Sequence, residues 1–414
     1  MTKINGLYLV FMTVGSFLGF SKFILYSKLI SVSEFGVYSL VLSSYIFFVF
    51  FGGMGLQEGL LKKGSESYAV GDIKTIKAYF LGAIAFSIPI TGSVAIVIWI
   101  FLKYFFSISY EIVDVLGVTA LMVLATILFN LIDAFLRAQQ KFLLFAVALT
   151  LKNSIAISLG YLWASEYSIK GLIIAEIIGL LVPFFVLLYI LINVKDIKLY
   201  KENHVWSLIS NGYKLMLTLV LRNISQFIDR WFIALSLGAI FLGYYSFSMI
   251  LLTISMVLIG FLVTVKGPEW IADFHNHKDI RILIQDVNKM VLKVLACLIL
   301  VAPFLFLNIE NMLISFNPNY AETIVIELIG IVYLAVLAVV PIYLYDWVFV
   351  ATSKEGYLVK TNLLATVVSV ILYIFLWFTK SDIVDFALAF LIIKILILFI
   401  YLKQIKDLYV FKST

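Results

Sequence analysis

The chain has 414 residues, of which 63% are hydrophobic and only 13% are charged, whereas soluble domains carry roughly 25% charged residues. This composition excludes a water-soluble fold, because one chain of this size cannot bury so much apolar surface. The net charge is +6, but most basic residues lie in short segments between apolar stretches. We therefore expect membrane lipids, and no nucleic acid, as their partners.

About twelve apolar stretches are each long enough to cross the roughly 30 Å hydrocarbon layer as a helix. In chain order they lie at residues 4–30, 36–60, 78–102, 112–136, 142–163, 171–193, 208–236, 241–265, 284–307, 323–350, 357–378 and 383–402. The sequence thus predicts an all-α, polytopic membrane protein. The single basic residue Lys3 and the lack of a small-residue cleavage site indicate that the first stretch is a retained helix.

The distribution of basic residues between alternate loops predicts the orientation of the chain. Loops and helix ends on one side hold 18 Lys and Arg residues, and those on the other side hold 4, at positions 28, 103, 170 and 380. Because cytoplasmic loops retain basic residues, we expect both termini in the cytoplasm. The loops at 64–74, 195–205 and 268–280 are predicted to be cytoplasmic, and those at 105–110 and 165–169 are predicted to be outside.

A weak internal repeat accompanies this topology. The basic connection from Lys195 to Trp206 divides the chain into an N-terminal half, 1–200, and a C-terminal half, 201–414. At an offset of half the chain length, the segment FGVYS at 35–39 aligns with LGYYS at 242–246. Six spans per half bring both halves into the membrane from the same side, so we predict two six-helix bundles related as a parallel repeat.

The seventh span carries charges that lipid-facing helices avoid. Lys214, Arg222 and Asp229 would cost about 2.5 to 3.5 kcal/mol each at the bilayer centre. At 100° per residue they share one sector with Thr218 and Ser225. We predict that this polar stripe, which also includes Asn211 and Ser236, lines a water-filled or substrate-filled cavity together with Gln226. The alternative is an ion pair between Arg222 and Asp229 that only joins helices.

Other ionisable residues in the predicted spans are candidates for the same cavity. Lys22 lies on a face of the first span with Gly15 and Tyr26, at the position that aligns with Asp229. Its alternative role is to extend to the outer headgroups. Lys152 and Lys394 lie deepest in their spans. For Glu176, Glu327, Asp133 and Asp346 we expect a structural or interfacial role.

Sequence motifs of soluble enzymes are absent. There is no Gly-rich phosphate loop and no Cys or His cluster with metal spacing, since His275 and His277 lie in a predicted cytoplasmic loop. The single cysteine, Cys297, excludes an intrachain disulfide and is expected to be a small buried residue. We therefore predict no catalytic residue, no metal, no cofactor and no enzymatic activity.

Several of these features together resemble a known family. They are the six-plus-six repeat, the FGVYS turn, the basic loop after the second span, and the stretch 223–246 with Asp229-Arg230 and LGYYS. In these features the chain resembles O-antigen and capsular polysaccharide flippases of the multidrug, oligosaccharidyl-lipid and polysaccharide exporter superfamily. The resemblance covers the whole length, but its motifs are loose.

The resemblance implies a function and a substrate. Such proteins move an undecaprenyl-pyrophosphate-linked oligosaccharide across the bacterial inner membrane by alternating access, with polysaccharide polymerase and assembly proteins as expected partners. Arg222, Lys22, Lys152 and Lys394 are then expected to bind the anionic substrate, because cations attract phosphate strongly at low dielectric. Alternatives are a multidrug antiporter, a lipid II flippase, or a membrane polysaccharide polymerase, which the short outer loops disfavour.

Overall fold

The computed structural model describes residues 6–105, 110–191, 202–277, 279–352 and 354–410. Within these ranges the secondary structure is helical. The helices, in chain order, are α1 (Gly6–Leu29), α2 (Val32–Gly53), α3 (Leu56–Ala69), α4 (Ile73–Phe105), α5 (Tyr110–Ala138), α6 (Phe142–Leu191), α7 (Glu202–Ser236), α8 (Ala239–Ser248), α9 (Ile250–His277), α10 (Ile280–Phe316), α11 (Thr323–Ala351), α12 (Glu355–Phe378) and α13 (Ile383–Val410). A short 3-10 turn, Pro318–Tyr320, precedes α11.

The number of membrane-spanning segments agrees with the prediction of about twelve. Ten segments of the described chain are long and apolar enough to cross a membrane. One of them, α6, has 50 residues and a break at Ser168 (φ 47°, ψ −130°), so it contains the predicted fifth and sixth spans. The 35-residue helix α7 contains the predicted seventh span. It carries charged residues and is not among the ten apolar segments. The fold class is therefore confirmed, and the chain is a multi-pass membrane protein.

Several predicted boundaries were wrong. The second span ends at Gly53, where the positive φ values of Met54 (45°) and Gly55 (78°) turn the chain into the separate helix α3. The predicted loop at 268–280 is helical as far as His277, the last residue of α9. Cys297 is exposed on α10 rather than buried. The predicted connection after Lys195 falls largely outside the described residues.

The contacts of the chain divide it into two compact units. Unit 1 comprises Met1–Ile30 and Leu40–Val220, and unit 2 comprises Ser31–Ser39 and Leu221–Thr414. The start of α2 therefore packs within unit 2, and the first part of α7 packs within unit 1. The division of the sequence into halves at residue 200 stays a prediction.

In unit 1, side chains of α6 donate hydrogen bonds to the backbone of α1. Asn153 Nδ2 lies 2.8 Å from the carbonyl oxygen of Gly15, and Thr150 Oγ1 lies 2.8 Å from that of Phe11. In the opposite direction, the Tyr26 hydroxyl of α1 donates a hydrogen bond of 2.6 Å to the carbonyl oxygen of Ala156 on α6. The face of α1 that bears Gly15 and Tyr26 is thus turned inward, against α6.

Unit 2 contains a related contact between α12 and α7. Thr366 Oγ1 lies 2.8 Å from the carbonyl oxygen of Leu221. In both units a polar side chain therefore bonds the backbone of the first long helix, α1 or α7. Such bonds satisfy polar groups that lipid cannot.

The starts of α2 and α8 meet within unit 2 at a close backbone contact. A Cβ atom at Gly36 would overlap the carbonyl oxygen of Ala239, and one at Gly243 would overlap that of Val32. Only glycine permits this approach. These two glycines are the ones that the sequence repeat aligns, so the repeat reflects a packing requirement.

Candidate functional site

A cavity with charged walls lies among the helices of unit 2. The space that no atom occupies is about 490 Å³, and part of it is open to the surroundings. The residues that line it come from five helices: Arg222, Ser225 and Gln226 of α7, Leu252 and Met256 of α9, Val339, Ile342 and Tyr343 of α11, Asn362 of α12, and Lys394, Ile397 and Tyr401 of α13. We call it the unit 2 cavity.

Helix α7 brings three predicted residues to this cavity. Arg222, Ser225 and Gln226 have the spacing i, i+3 and i+4, which places them on one helix face. All three lie in the wall of the unit 2 cavity. Thr218 is four residues earlier and packs within unit 1. Lys214 lies in α7, but its side chain is outside the described residues.

Arg222 forms its ion pair with Asp346 of α11. Its Nη2 lies 2.8 Å from Asp346 Oδ2, and the Tyr401 hydroxyl donates to the other carboxylate oxygen, Oδ1, at 2.6 Å. The guanidinium also lies 5.5 Å from the ring centroid of Tyr343. The alternative pair of Arg222 with Asp229 was therefore wrong, because the partner comes from a helix 124 residues further along the chain.

Asp229 has a different environment, although it belongs to the same polar stripe. Its carboxylate is 1% exposed and accepts a hydrogen bond from the hydroxyl of Tyr245 on α8. It also accepts one from the backbone N–H of Arg230, at 2.7 Å. Arg230 stacks on the Phe227 ring, with 4.8 Å between the guanidinium carbon and the ring centroid. Asp229 is thus held inside unit 2 by α8 and its own helix.

Lys394 of α13 and Asn362 of α12 complete the polar wall of the unit 2 cavity. The Lys394 ammonium lies 4.7 Å from the ring centroid of Phe390. Lys394 was predicted to bind substrate, whereas sequence reasoning did not identify Asn362, Tyr343 or Tyr401. A polar amide inside an apolar span was the available signal for Asn362. Nothing in the local pattern separates Tyr343 and Tyr401 from the chain's 23 tyrosines.

The other predicted basic residues lie in unit 1. Lys22 is buried, with its Nζ 2.5 Å from Glu176 Oε1 of α6. It therefore pairs internally and does not extend to the headgroups. Lys152, also on α6, lies 5.0 Å from the ring centroid of Phe129. Neither lysine is among the residues that line the unit 2 cavity.

The chemistry of this site is that of binding. Within the described part of the chain, no group of three or more His, Cys, Asp or Glu side chains has a geometry that would hold a metal ion. The cavity instead offers an arginine, a lysine, an amide and hydroxyl groups beside apolar side chains. Such walls suit an anionic, hydrogen-bonding ligand.

The fold and the cavity define a class of protein, namely helical multi-pass membrane proteins with a polar cavity among their helices. The family described as "Polysaccharide biosynthesis protein" matches residues 25–268, which is 244 of the 414 residues. The chain belongs to this family. A search of curated proteins found no match.

Solved structures with the same fold are transporters. An inward-facing multidrug resistance transporter of the MATE family and MOP superfamily is 12% identical, with 99% of each chain covered and a TM-score of 0.81. The lipid II flippase MurJ is 15% identical over 97% of this chain and 87% of its own, with a TM-score of 0.76. A MOP superfamily transporter from Pyrococcus furiosus is 13% identical over 99% and 95%, with a TM-score of 0.65. At these identities the likeness establishes the fold.

Proposed function

We propose that the protein is a flippase that moves an undecaprenyl-pyrophosphate-linked oligosaccharide, an O-antigen or capsular repeat unit, across the bacterial inner membrane by alternating access. The observation that carries this proposal is a cavity lined by the cations Arg222 and Lys394 in a member of a polysaccharide biosynthesis family. The fold supports it, since the similar structures include a multidrug resistance transporter and a lipid II flippase.

The charges of the described spans suit an anionic cargo. A diphosphate must enter a region of low dielectric, where it interacts with a cation far more strongly than in water. The planar guanidinium of Arg222 is a fork of donors that suits phosphate oxygens. One of its donor nitrogens, Nη2, already bonds Asp346. Lys394 lines the same cavity, while Lys22 and Lys152 are the corresponding candidates in unit 1. Asp229, Thr218, Ser225, Gln226 and Lys214 remain proposed as cavity-lining or coupling residues.

The proposed setting follows from the charge distribution and the family. We propose that both termini lie in the cytoplasm, because the loops on the same side as the termini carry most of the basic residues. Membrane lipids surround the protein. Polysaccharide polymerase and assembly proteins are the proposed partners, since a translocated repeat unit has to be polymerised.

Deletion of the gene tests the proposed function. We expect the lipid-linked oligosaccharide to accumulate on the cytoplasmic face, measured as glycan that an added glycosidase reaches only in inverted membrane vesicles. Assembly enzymes should stay active in the same vesicles. Normal surface glycan in a deletion strain without a paralogue would refute the proposal.

The main alternatives are distinguishable by cargo. A multidrug antiporter would be expected to hold buried acidic residues at its core. The residues that line the unit 2 cavity in the described part of the chain include no carboxylate, and Lys394 adds a positive charge, while the nearby Asp346 is paired with Arg222. This favours an anionic cargo. A lipid II flippase would instead restore growth when the cell's own lipid II flippase is depleted, which we do not expect here.

A further inference from the structure

We propose that the unit 2 cavity contains a subsite for the carboxylate of an acidic sugar, formed by the Lys394 ammonium and the Asn362 amide. This inference rests on the proposed function and adds that the glycan contains an acidic sugar such as a hexuronate. The subsite would recognise the glycan itself rather than the diphosphate of the lipid carrier.

The hydrogen-bond acceptors near Arg222 are already occupied. Asp346 Oδ2 accepts from Arg222, and Oδ1 accepts from the Tyr401 hydroxyl. The Ser225 hydroxyl donates to the carbonyl oxygen of Arg222 at 3.0 Å. Both carboxylate oxygens of Asp346 are therefore engaged by Arg222 and Tyr401.

Asn362, in contrast, has a donor without an acceptor. The residue is 6% exposed and lines the cavity. Its Nδ2 is buried and has no hydrogen-bond partner in the part of the chain that the structure describes. Because a buried donor left unpaired destabilises the protein, this amide is a binding group for a ligand that supplies an acceptor.

Lys394 has no salt-bridge partner among the described residues, and the Asp229 carboxylate acts on its charge only from a greater distance. It is 8% exposed and lies against the Phe390 ring. Among the described residues, no carboxylate forms a salt bridge with it. An ammonium in such a place is costly unless an anion accompanies it. The ligand that satisfies both Lys394 and Asn362 therefore supplies acceptors and a negative charge.

The balance of charge favours a monoanion. The cations Arg222, Arg230 and Lys394 and the carboxylates Asp346 and Asp229 together leave a net charge of +1 among these five described residues. A carboxylate carries one negative charge on two oxygens, so that one can accept from the ammonium and the other from the amide. A pyrophosphate diester carries two negative charges.

Binding by the purified, full-length protein in lipid nanodiscs tests this subsite. The probes are trimers of galacturonate and of glucuronate, a neutral galactose trimer, and inorganic pyrophosphate, measured by isothermal titration calorimetry. We expect at least one uronate trimer to bind at least tenfold more tightly than the neutral trimer. Lys394→Gln should abolish this preference, whereas Lys403→Gln, which removes an exposed charge from the same helix, should preserve it.

A second variant, Asn362→Asp, keeps the shape of the side chain. It places a carboxylate in the cavity wall that Lys394 also lines, so we expect loss of uronate binding together with a higher melting temperature of the ligand-free protein. The proposal is overturned if neither uronate trimer is preferred to the neutral trimer. It is also overturned if Asn362→Asp still binds uronate, or if pyrophosphate binds and depends on Lys394.

Reconstituted vesicles separate this inference from the proposed function. Equal movement of neutral and uronate-containing lipid-linked oligosaccharides would overturn the subsite and leave the flippase intact. If neither oligosaccharide moves although the uronate trimer binds, the proposed function fails instead.

Discussion

Each unit contains a buried ion pair that joins distant parts of the chain. Lys22 pairs with Glu176 in unit 1, and Arg222 pairs with Asp346 in unit 2. Removing one member of such a pair leaves an uncompensated charge, which costs more than removing both. The difference between single and double substitutions therefore reveals whether a pair is structural, functional or both.

We expect Arg222→Gln alone to destabilise the protein by about 3 kcal/mol, because it leaves the Asp346 carboxylate without a cation. This value is at the low end of the range for buried pairs, since the Arg222 side chain is still 27% exposed. The double substitution Arg222→Gln with Asp346→Asn should restore most of that loss, since neither amide is charged. It should not restore transport if Arg222 contacts the substrate. Melting temperature and surface glycan measure the two effects separately.

The pair Arg222→Gln with Asp229→Asn is the matched control for this experiment. Asp229 bonds Tyr245 and the backbone of Arg230, and not Arg222. We therefore expect this control to stay destabilised. Normal surface glycan from the strain with both Arg222→Gln and Asp346→Asn would show that Arg222 only joins α7 to α11.

The sequence predicted part of the site, and the reason lies in helical periodicity. It placed Arg222, Ser225 and Gln226 on one face of one helix, because their spacing depends on α7 alone. It did not identify Asp346 as the partner of Arg222 or Asn362 as a wall residue, since both come from other helices. Contacts between helices depend on packing that no local pattern contains.

At the scale of elements, glycines and hydroxyl groups determine how closely helices approach. Gly36 on α2 and Gly243 on α8 bring two backbones into contact. Thr366 of α12 and Asn153 of α6 bond the carbonyl groups of α7 and α1. Close glycine contacts and interhelical hydrogen bonds both suit helices in lipid. There, apolar side chains gain little free energy from helix association, because lipid is as apolar as the helix interface.

Gly36→Ala should destabilise unit 2 by at least about 2 kcal/mol, because its methyl group would overlap the Ala239 carbonyl oxygen and force the helices apart. Gly53→Ala, on the same helix, is the control, since a Cβ there meets nothing within 4 Å. Its stability should be unchanged or slightly higher. An equal melting temperature for both variants would contradict the close contact.

Thr366→Val keeps the shape of the side chain but removes its bonds to Leu221 and Asn362. We expect a loss of about 1 kcal/mol in the free energy of unfolding, the usual net value of one such bond. Thr126→Val is the comparison, because the hydroxyl of Thr126 bonds only Met122 within its own helix. If both valine variants lose the same stability, the bond between α12 and α7 contributes nothing specific.

Hydropathy predicted the spans well and their ends less well, for a physical reason. Length and apolar character determine whether a helix crosses the bilayer. The boundary between α2 and α3 depends on the left-handed turn at Met54 and Gly55. Hydropathy did not show this boundary, because Leu56 and Leu60 continue the run of apolar residues. For the same reason the break between α8 and α9 at Met249 lay inside one predicted span.

At the scale of the whole molecule, the charge distribution predicts which loops face the cytoplasm. The two sides hold 18 and 4 basic residues, and such an asymmetry determines orientation during insertion. The structure supplies exposed positions at which this can be measured. Val70, in the turn between α3 and α4, is 80% exposed, and Tyr167, before the break in α6, is 57% exposed.

The orientation can be read by labelling single cysteines in intact cells. Cys297 is exposed, so it is first replaced by serine to give a cysteine-free background. Asn319 lies in the 3-10 turn between α10 and α11. We expect a membrane-impermeant maleimide to label Tyr167→Cys and Asn319→Cys from outside, and to label Val70→Cys only after the membrane is permeabilised. Because the predicted loops alternate in side, labelling of Val70→Cys in intact cells would invert the proposed topology, and it would place the loops at 64–74 and 268–280 outside.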